Sequence, residues 1–146
     1  MKEKLLISAC LMGIGCRYDG KCVKKVDVSA LRERYELIPV CPEIYGGLPT
    51  PRVPSERIGE KVIMKDGRDV TENFIRGAEY TYQLSCLSGA KLALLKSRSP
   101  SCGKGEIYDG SFTGTLTERS GFTAEYLMEK GISVYTEEEL ERLLSE

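Results

Sequence analysis

The sequence predicts an α/β fold: a single domain over residues 1–146, with an open, mainly parallel sheet, helices on both faces and a small inserted β-hairpin. Three observations predict it. Four short, continuous apolar runs lie far apart in the chain, as strands covered on both faces require. Segments of helical periodicity separate them, which implies crossover connections and hence parallel neighbours. The chain has 146 residues, 41% hydrophobic and 29% charged, so it can bury one core without disulfides or metal.

The elements follow in order. Residues 4–9 (Lys-Leu-Leu-Ile-Ser-Ala) form the first run and end at Cys10. With the preceding Met1-Lys2-Glu3 they have the outline of a bacterial lipoprotein signal. The apolar stretch is too short for a secretory core of about seven residues, so it reads as a buried strand. Residues 28–34 suit a short helix with Asp27 or Ser29 as cap. Residues 35–40 (Tyr-Glu-Leu-Ile-Pro-Val) form the second strand and end at Cys41. Lys61-Val62-Ile63-Met64 and Arg68-Asp69-Val70 flank Lys65-Asp66-Gly67, where Asp-Gly supplies the positive φ of a hairpin turn. Residues 71–88 form a long helix that Gly89 stops. Phe74, Ala78, Tyr82 and Cys86 recur on it every four residues and predict its buried stripe, Cys86 included. Residues 91–95 are the third strand, 122–130 a helix ending at Gly131, and 132–135 the fourth strand. Thr136 and Glu139 form a capping box for a last helix that buries Leu140, Leu143 and Leu144.

Composition narrows the chemistry. Histidine is absent, which excludes Ser-His and Cys-His catalysis and every His-containing zinc site. Proton transfer must use Glu, Asp, Lys, Tyr or Cys. A net charge of −1 argues against a dedicated DNA-binding domain. No apolar stretch approaches the roughly 18 residues of a membrane span. The expected location is the reducing cytoplasm, where six cysteines point to metal, redox or catalytic chemistry rather than to disulfides.

The cysteines are placed informatively. Cys10 and Cys41 end the first two strands, and Cys102 lies in the loop after the third. In an open parallel sheet these ends share one edge, where ligands bind, so three distant thiols should meet. Soft sulfur ligands select zinc, Cu(I) or iron–sulfur clusters. Paired C-x-x-C knuckles of a structural zinc site are missing. Three isolated cysteines fit a 4Fe–4S cluster with one iron left open as a Lewis acid. The competing reading is three unrelated core cysteines. Cys10, Cys16 and Cys22, evenly spaced, form a rival ligand set.

Loop chemistry supplies further candidates. Ser99-Pro100-Ser101-Cys102-Gly103 surrounds its thiol with two hydroxyls and can aim backbone N–H groups at sulfur. Cys41-Pro42-Glu43 sets a carboxylate two residues from a thiol, as a proton shuttle. Arg17, Tyr18 and Asp19 with Gly20 read either as a plain β-turn or as a ring and two charges for a polar ligand. Arg17, Lys21, Lys24, Lys25, Arg52, Arg57, Lys96, Arg98 and Lys104 give the long loops a basic mouth suited to a nucleotide, an RNA end or an anion.

Taken jointly, the motifs resemble one family. Ser8-Ala9-Cys10-Leu11, Cys16-Arg17-Tyr18-Asp19-Gly20, Pro39-Val40-Cys41-Pro42-Glu43 and Gly46-Gly47-Leu48-Pro49-Thr50-Pro51-Arg52 come first. Asp69-Val70-Thr71, Ser99-Pro100-Ser101-Cys102-Gly103, Tyr108-Asp109-Gly110 and Gly114-Thr115-Leu116 follow. Over nearly its whole length the chain resembles the bacterial and archaeal thiouracil desulfidase (TudS-like) family. The resemblance implies an oxygen-sensitive 4Fe–4S cluster on Cys10, Cys41 and Cys102. Charge and hydropathy give neither DNA nor membrane as an expected partner; the resemblance implies hydrolytic removal of sulfur from a thiolated pyrimidine, as free base or nucleoside or within tRNA. On this basis Glu43 is the expected base, Ser101 or Ser99 the group that hydrogen-bonds the base or the departing sulfur, and Arg17, Tyr18 and Asp19 the substrate contacts. Two other functions compete: a non-catalytic iron–sulfur or zinc sensor module with four protein ligands, and a metal-free thiol enzyme carrying persulfide on Cys16 or Cys22.

Overall fold

The computed structural model describes residues 2–15, 18–19 and 26–145. β1 (Glu3–Ser8) runs into a 3-10 turn, Ala9–Met12, closed by Gly13 at φ 91°. α1 (Val28–Arg34) is capped by Asp27, whose side chain accepts the Ala30 amide at 3.0 Å. β2 (Tyr35–Val40) leads through Cys41 into the single turn α2 (Pro42–Tyr45). β3 (Ser55–Ile58) and β4 (Lys61–Met64) precede α3 (Thr71–Ser88). β5 (Leu92–Leu95), β6 (Ile107–Tyr108), β7 (Leu116–Thr117) and α4 (Phe122–Glu129) follow. β8 (Ser133–Thr136) and α5 (Leu140–Ser145) end the fold, joined by a turn with the expected Thr136–Glu139 capping box.

The main sheet has the order β2-β1-β5-β8, and every pairing is parallel. Side-chain alternation along β1 divides the core. Leu5 and Ile7 pack with Leu31 of α1 and Leu143 of α5 on one face. Leu6 packs on the other with Ala124 and Leu127 of α4 and with Tyr82 and Leu84 of α3. Leu5, Leu6 and Ile7 are fully buried, and each such burial contributes roughly 1.5–3 kcal/mol. The connection leaving β1 enters α1 on the first face, and the one leaving β5 reaches α4 on the second. A crevice therefore opens between the C-terminal ends of β1 and β5, the switch point of the sheet. Among the described residues no helix is long and apolar enough to cross a membrane.

Two expectations are corrected. The turn at residues 65–67 forms, with Gly67 at φ 94°, and the Met64 and Val70 amides donate to the Arg68 and Val62 carbonyls, but residues 68–70 make an isolated bridge, Asp69 to Ile63, and no regular strand. The regular antiparallel partner of β4 is β3, a segment that its charges disguise. Glu56 and Arg57 are 9% and 4% exposed. Arg57 is buried because it donates to Gly59 and Ser120 carbonyls and to Glu125, and lies 4.1 Å over the Phe122 ring. Cys86, expected in the core, is exposed. A strict four-residue spacing drifts about 40° per step round a helix, so three steps carry Cys86 about 120° from Phe74. The buried stripe follows Phe74, Gly77, Ala78, Thr81 and Ser85 instead.

The contact between α2 and α3 is made backbone to backbone. A Cβ on Gly46 would stand 2.0 Å from the Asn73 carbonyl oxygen, and one on Gly77 2.0 Å from the Pro42 carbonyl oxygen. Only glycine permits this approach, and it seats the segment bearing Cys41 and Glu43. Overpacking costs about 1–3 kcal/mol, and backbone atoms cannot swing aside. Gly77→Ala is expected to lower the thermal midpoint by roughly 10 °C. An unchanged midpoint in a calorimetric scan would show that α2 is not held by this contact.

Candidate active site

Three strand ends deliver three thiols to one place. Cys10 follows β1 in the 3-10 turn, Cys41 follows β2 as the residue that opens α2, and Cys102 lies in the loop after β5. The register Ser8–Val40 sets the first two ends level. All three cysteines line a cavity of about 450 Å³, together with Glu43, Ser99 and Ser101. Cys10 and Cys102 are buried, Cys41 is half-buried, and none of these is in a disulfide. The reading of Cys10 and Cys102 as core residues holds only in part: each belongs to a core cluster, yet each also lines the shared cavity. A separate hollow of about 660 Å³ against α1 and β2, lined by Lys2, Arg32 and Glu36 among others, has no cysteine among the described residues of its wall.

The Cys102 loop is held rigidly. The first amides of α4 clasp it: Phe122 donates to the Pro100 carbonyl at 2.9 Å, and Thr123 and Ala124 donate to that of Ser101 at 2.8 and 3.1 Å. Gly121 lets them approach, since a Cβ there would lie 2.6 Å from the Ser101 carbonyl carbon. Ser99 Oγ accepts the amides of Ser101 and Cys102, both at 3.1 Å. Ser8 Oγ accepts the Lys96 amide at 2.9 Å and so ties the end of β1 to that of β5.

Glu43 is the hub of the polar network. Arg52 Nε and Nη2 donate to its Oε1 at 3.1 and 2.9 Å. Ser101 Oγ donates to its Oε2 at 2.9 Å and lies 3.6 Å from Cys102 Sγ. Ser99 Oγ is 2.9 Å from Ser101 Oγ. Because Ser99 already accepts two amides, its proton points to Ser101, which leaves the Ser101 proton for Glu43 or for sulfur. Arg52 is anchored in turn, donating to the Pro49 carbonyl and to Thr50 Oγ1, both at 3.1 Å.

Burial pushes the Cys102 thiol up to about 12; hydrogen bonds from Ser8 and Ser101 pull the other way, and the charges of Cys41 and Glu43 push it further up. The sulfur becomes a thiolate when a cation takes the place of its proton. Among the described residues no group of three or more Cys, Asp or Glu side chains could hold one metal ion. A single ion gathers its ligands within about 2.3 Å of a point. A four-iron cluster takes one sulfur per iron and spreads its ligands round a cube. Three thiols that share one cavity supply the all-sulfur donor set that such a cluster takes.

The other predicted residues divide. Tyr18 is on the cavity wall and 38% exposed, and its carbonyl accepts the Arg52 amide; Asp19, half-buried beside it, is not a lining residue. Arg17, Cys16 and Cys22 lie outside the described residues. Of the expected basic mouth, Arg17, Lys21, Lys24 and Lys25 lie outside the described residues, and the described cations are paired. Arg57 is buried, Lys96 pairs with Glu137 at 3.1 Å, Lys104 with Glu139 at 3.1 Å, and Arg52 with Glu43. Burial alone would raise Glu137, but the Ser97 amide and Lys96 outweigh it and hold the carboxyl below its usual range. Sequence reasoning missed Arg52 as the clamp on Glu43 and Ser8 as a partner of Cys102, though both stand inside motifs it singled out.

Fold and site together define a thiol-lined catalytic domain of the open parallel α/β type. The model of the 2-thiouracil desulfurase family matches residues 5–139, and the chain belongs to that family. It is 38% identical to the protein YbbK of Bacillus subtilis (strain 168) over 150 residues, covering 96% of this chain and 99% of that one. Its fold is similar to that of TudS, described as a 4Fe–4S-dependent thiouracil desulfidase, with a TM-score of 0.90, 45% identity, and 97% and 95% of the two chains covered.

The thiols should differ in reactivity when no metal is bound. At pH 8 Cys102 holds about a thousandfold less thiolate than an unperturbed thiol and is 5% exposed, so among the described cysteines iodoacetamide should label exposed Cys86 first and Cys102 last. Peptide mass spectrometry over time reads the order. Labelling of Cys102 at the rate of Cys86 would contradict the environment described.

Proposed function

We propose that the chain is a cytoplasmic desulfidase, one domain over residues 1–146, that hydrolyses the C–S bond of a thiolated pyrimidine. The substrate is thiouracil or thiouridine, free or within tRNA. The observation that carries this reading is the meeting of three thiols from three strand ends beside a carboxylate–hydroxyl pair. Membership of the 2-thiouracil desulfurase family supports the reaction, and the cluster dependence ascribed to TudS supports the cofactor.

Cys10, Cys41 and Cys102 hold a 4Fe–4S cluster in this reading, and their all-sulfur donor set fits it. When bound, such a cluster would supply Lewis acidity toward a soft thiocarbonyl sulfur. The chain's own residues do the rest. Glu43 Oε1 is occupied by Arg52, so Oε2 accepts the proton of the water that attacks the ring carbon. Ser101 Oγ, within reach of Glu43 Oε2 and of the sulfur side of the cavity, relays that proton toward the departing sulfur. Ser99 fixes the Ser101 rotor. Tyr18 contacts the substrate from the cavity wall; the motif it shares with Arg17 and Asp19 assigns those two the same role. Water gives its oxygen to carbon, the C–S bond breaks, and sulfur leaves as hydrogen sulfide with no net electron transfer. A sensor module with four protein ligands would give the Arg52–Glu43–Ser101 chain no role.

Anaerobic reconstitution with iron and sulfide, followed by assay of sulfide release from thiouracil, tests the scheme. Glu43→Gln should retain iron but lose about 100-fold or more of the rate, the usual worth of general base catalysis. Cys41→Ala should lose both iron and activity. Full turnover by Glu43→Gln would remove the carboxylate from the mechanism, and turnover by chelated, metal-free protein would remove the cluster.

A further inference from the structure

A second carboxylate, outside the Glu43 network, fixes another part of the cavity wall. Glu56 is 9% exposed, and its Oε1 accepts the amides of Gly110 at 2.9 Å and Phe112 at 3.1 Å. Glu56 sits on β3 opposite Ile63 of β4, so the anchor belongs to a sheet. The loop lies flat on that sheet: a Cβ on Gly110 would meet the Ile58 side chain at 2.2 Å. Outside, its tip is polar, with half-buried Asp109 and exposed Ser111, Thr113 and Thr115 linked by hydrogen bonds.

Phe112 breaks this pattern. Its φ is 57°, in the left-handed region that a bulky residue rarely adopts. Such a conformation persists only where the surroundings over-determine it, and the bonds to Glu56 do so here. The ring is half-buried and lines the cavity that holds the three thiols. It packs with none of the three hydrophobic clusters, and among the described residues it is in no aromatic pair. The strain therefore serves no core. Phe112 thereby adds an aromatic side chain to the wall of a cavity that also carries Cys10, Cys41, Cys102, Glu43 and Ser101.

We propose that Phe112 is the platform on which the pyrimidine ring stacks, and that Glu56 is the positioning residue that aims it. This rests on the desulfidase reading. Stacking needs only a planar π face, so it holds every pyrimidine alike and leaves discrimination of the thiocarbonyl to the thiol-lined end of the cavity. It binds substrate and transition state equally, so its loss appears in KM and not in kcat.

Two measurements on the full chain test this. Equilibrium dialysis of 4-thiouracil and of uracil against the metal-free protein reads the platform without turnover. Phe112→Leu should weaken both about tenfold, the order of one base–aromatic stack, and Phe112→Tyr should restore them. Steady-state kinetics of the reconstituted Phe112→Leu should show KM raised about tenfold with kcat unchanged. Glu56→Ala should reproduce the dialysis loss, and the double variant should be no weaker than Phe112→Leu, because both act through one ring. Should Glu56→Ala fold poorly, as its thermal midpoint would reveal, Phe112→Leu carries the test alone. Wild-type affinity in Phe112→Leu, or a fall in kcat at unchanged KM, would overturn the assignment. Absence of sulfide release from the wild type would count against the desulfidase reading, while the dialysis would still decide the role of Phe112.

Discussion

Parallel pairing of β1 with β2 on one side and β5 on the other is the constraint from which the site follows. Parallel strands end at a common edge, and connections that leave β1 and β5 toward opposite faces open a crevice there. Cysteines 31 positions apart (10 and 41) and 61 apart (41 and 102) meet only because this register holds. The complete burial of Leu5, Leu6, Ile7, Leu94 and Leu95 fixes it, since a one-residue slip would exchange the two core faces.

On that frame the site is stiffened by short-range devices. Backbone contact at Gly46 and Gly77 seats the Cys41 segment, the first amides of α4 clasp the Cys102 loop, and Ser8 links β1 to Lys96. Arg52 and Glu43 are 4% and 15% exposed at their side chains, and each satisfies the other's charge. A buried pair of this kind is weak evidence for stability, because desolvation offsets much of the attraction. Its value here is geometric: it holds one carboxylate oxygen so that the other faces Ser101 and the sulfur side of the cavity.

Much of this was legible in the chain. Apolar runs ending at Cys10 and Cys41 marked the strands, and Gly89 and Gly131 marked helix ends, because burial and φ preference act locally. The meeting of Cys10, Cys41 and Cys102 was legible because strand-end geometry is generic to parallel sheets. β3 was not legible, because Glu56 and Arg57 look solvated until their distant partners, the Gly110 and Phe112 amides and Glu125, are known. Cys86 was misplaced because a spacing of four is not a helical period. Arg52 read as one loop charge among nine, since nothing local shows that its partner is Glu43.

The most direct test is an iron anomalous-difference map from crystals of the full chain grown and cooled without oxygen. The account predicts a single cluster bonded to the sulfurs of Cys10, Cys41 and Cys102, with one iron that bears no protein ligand. A fourth cysteine on the cluster, or iron bound away from these three sulfurs, would contradict it.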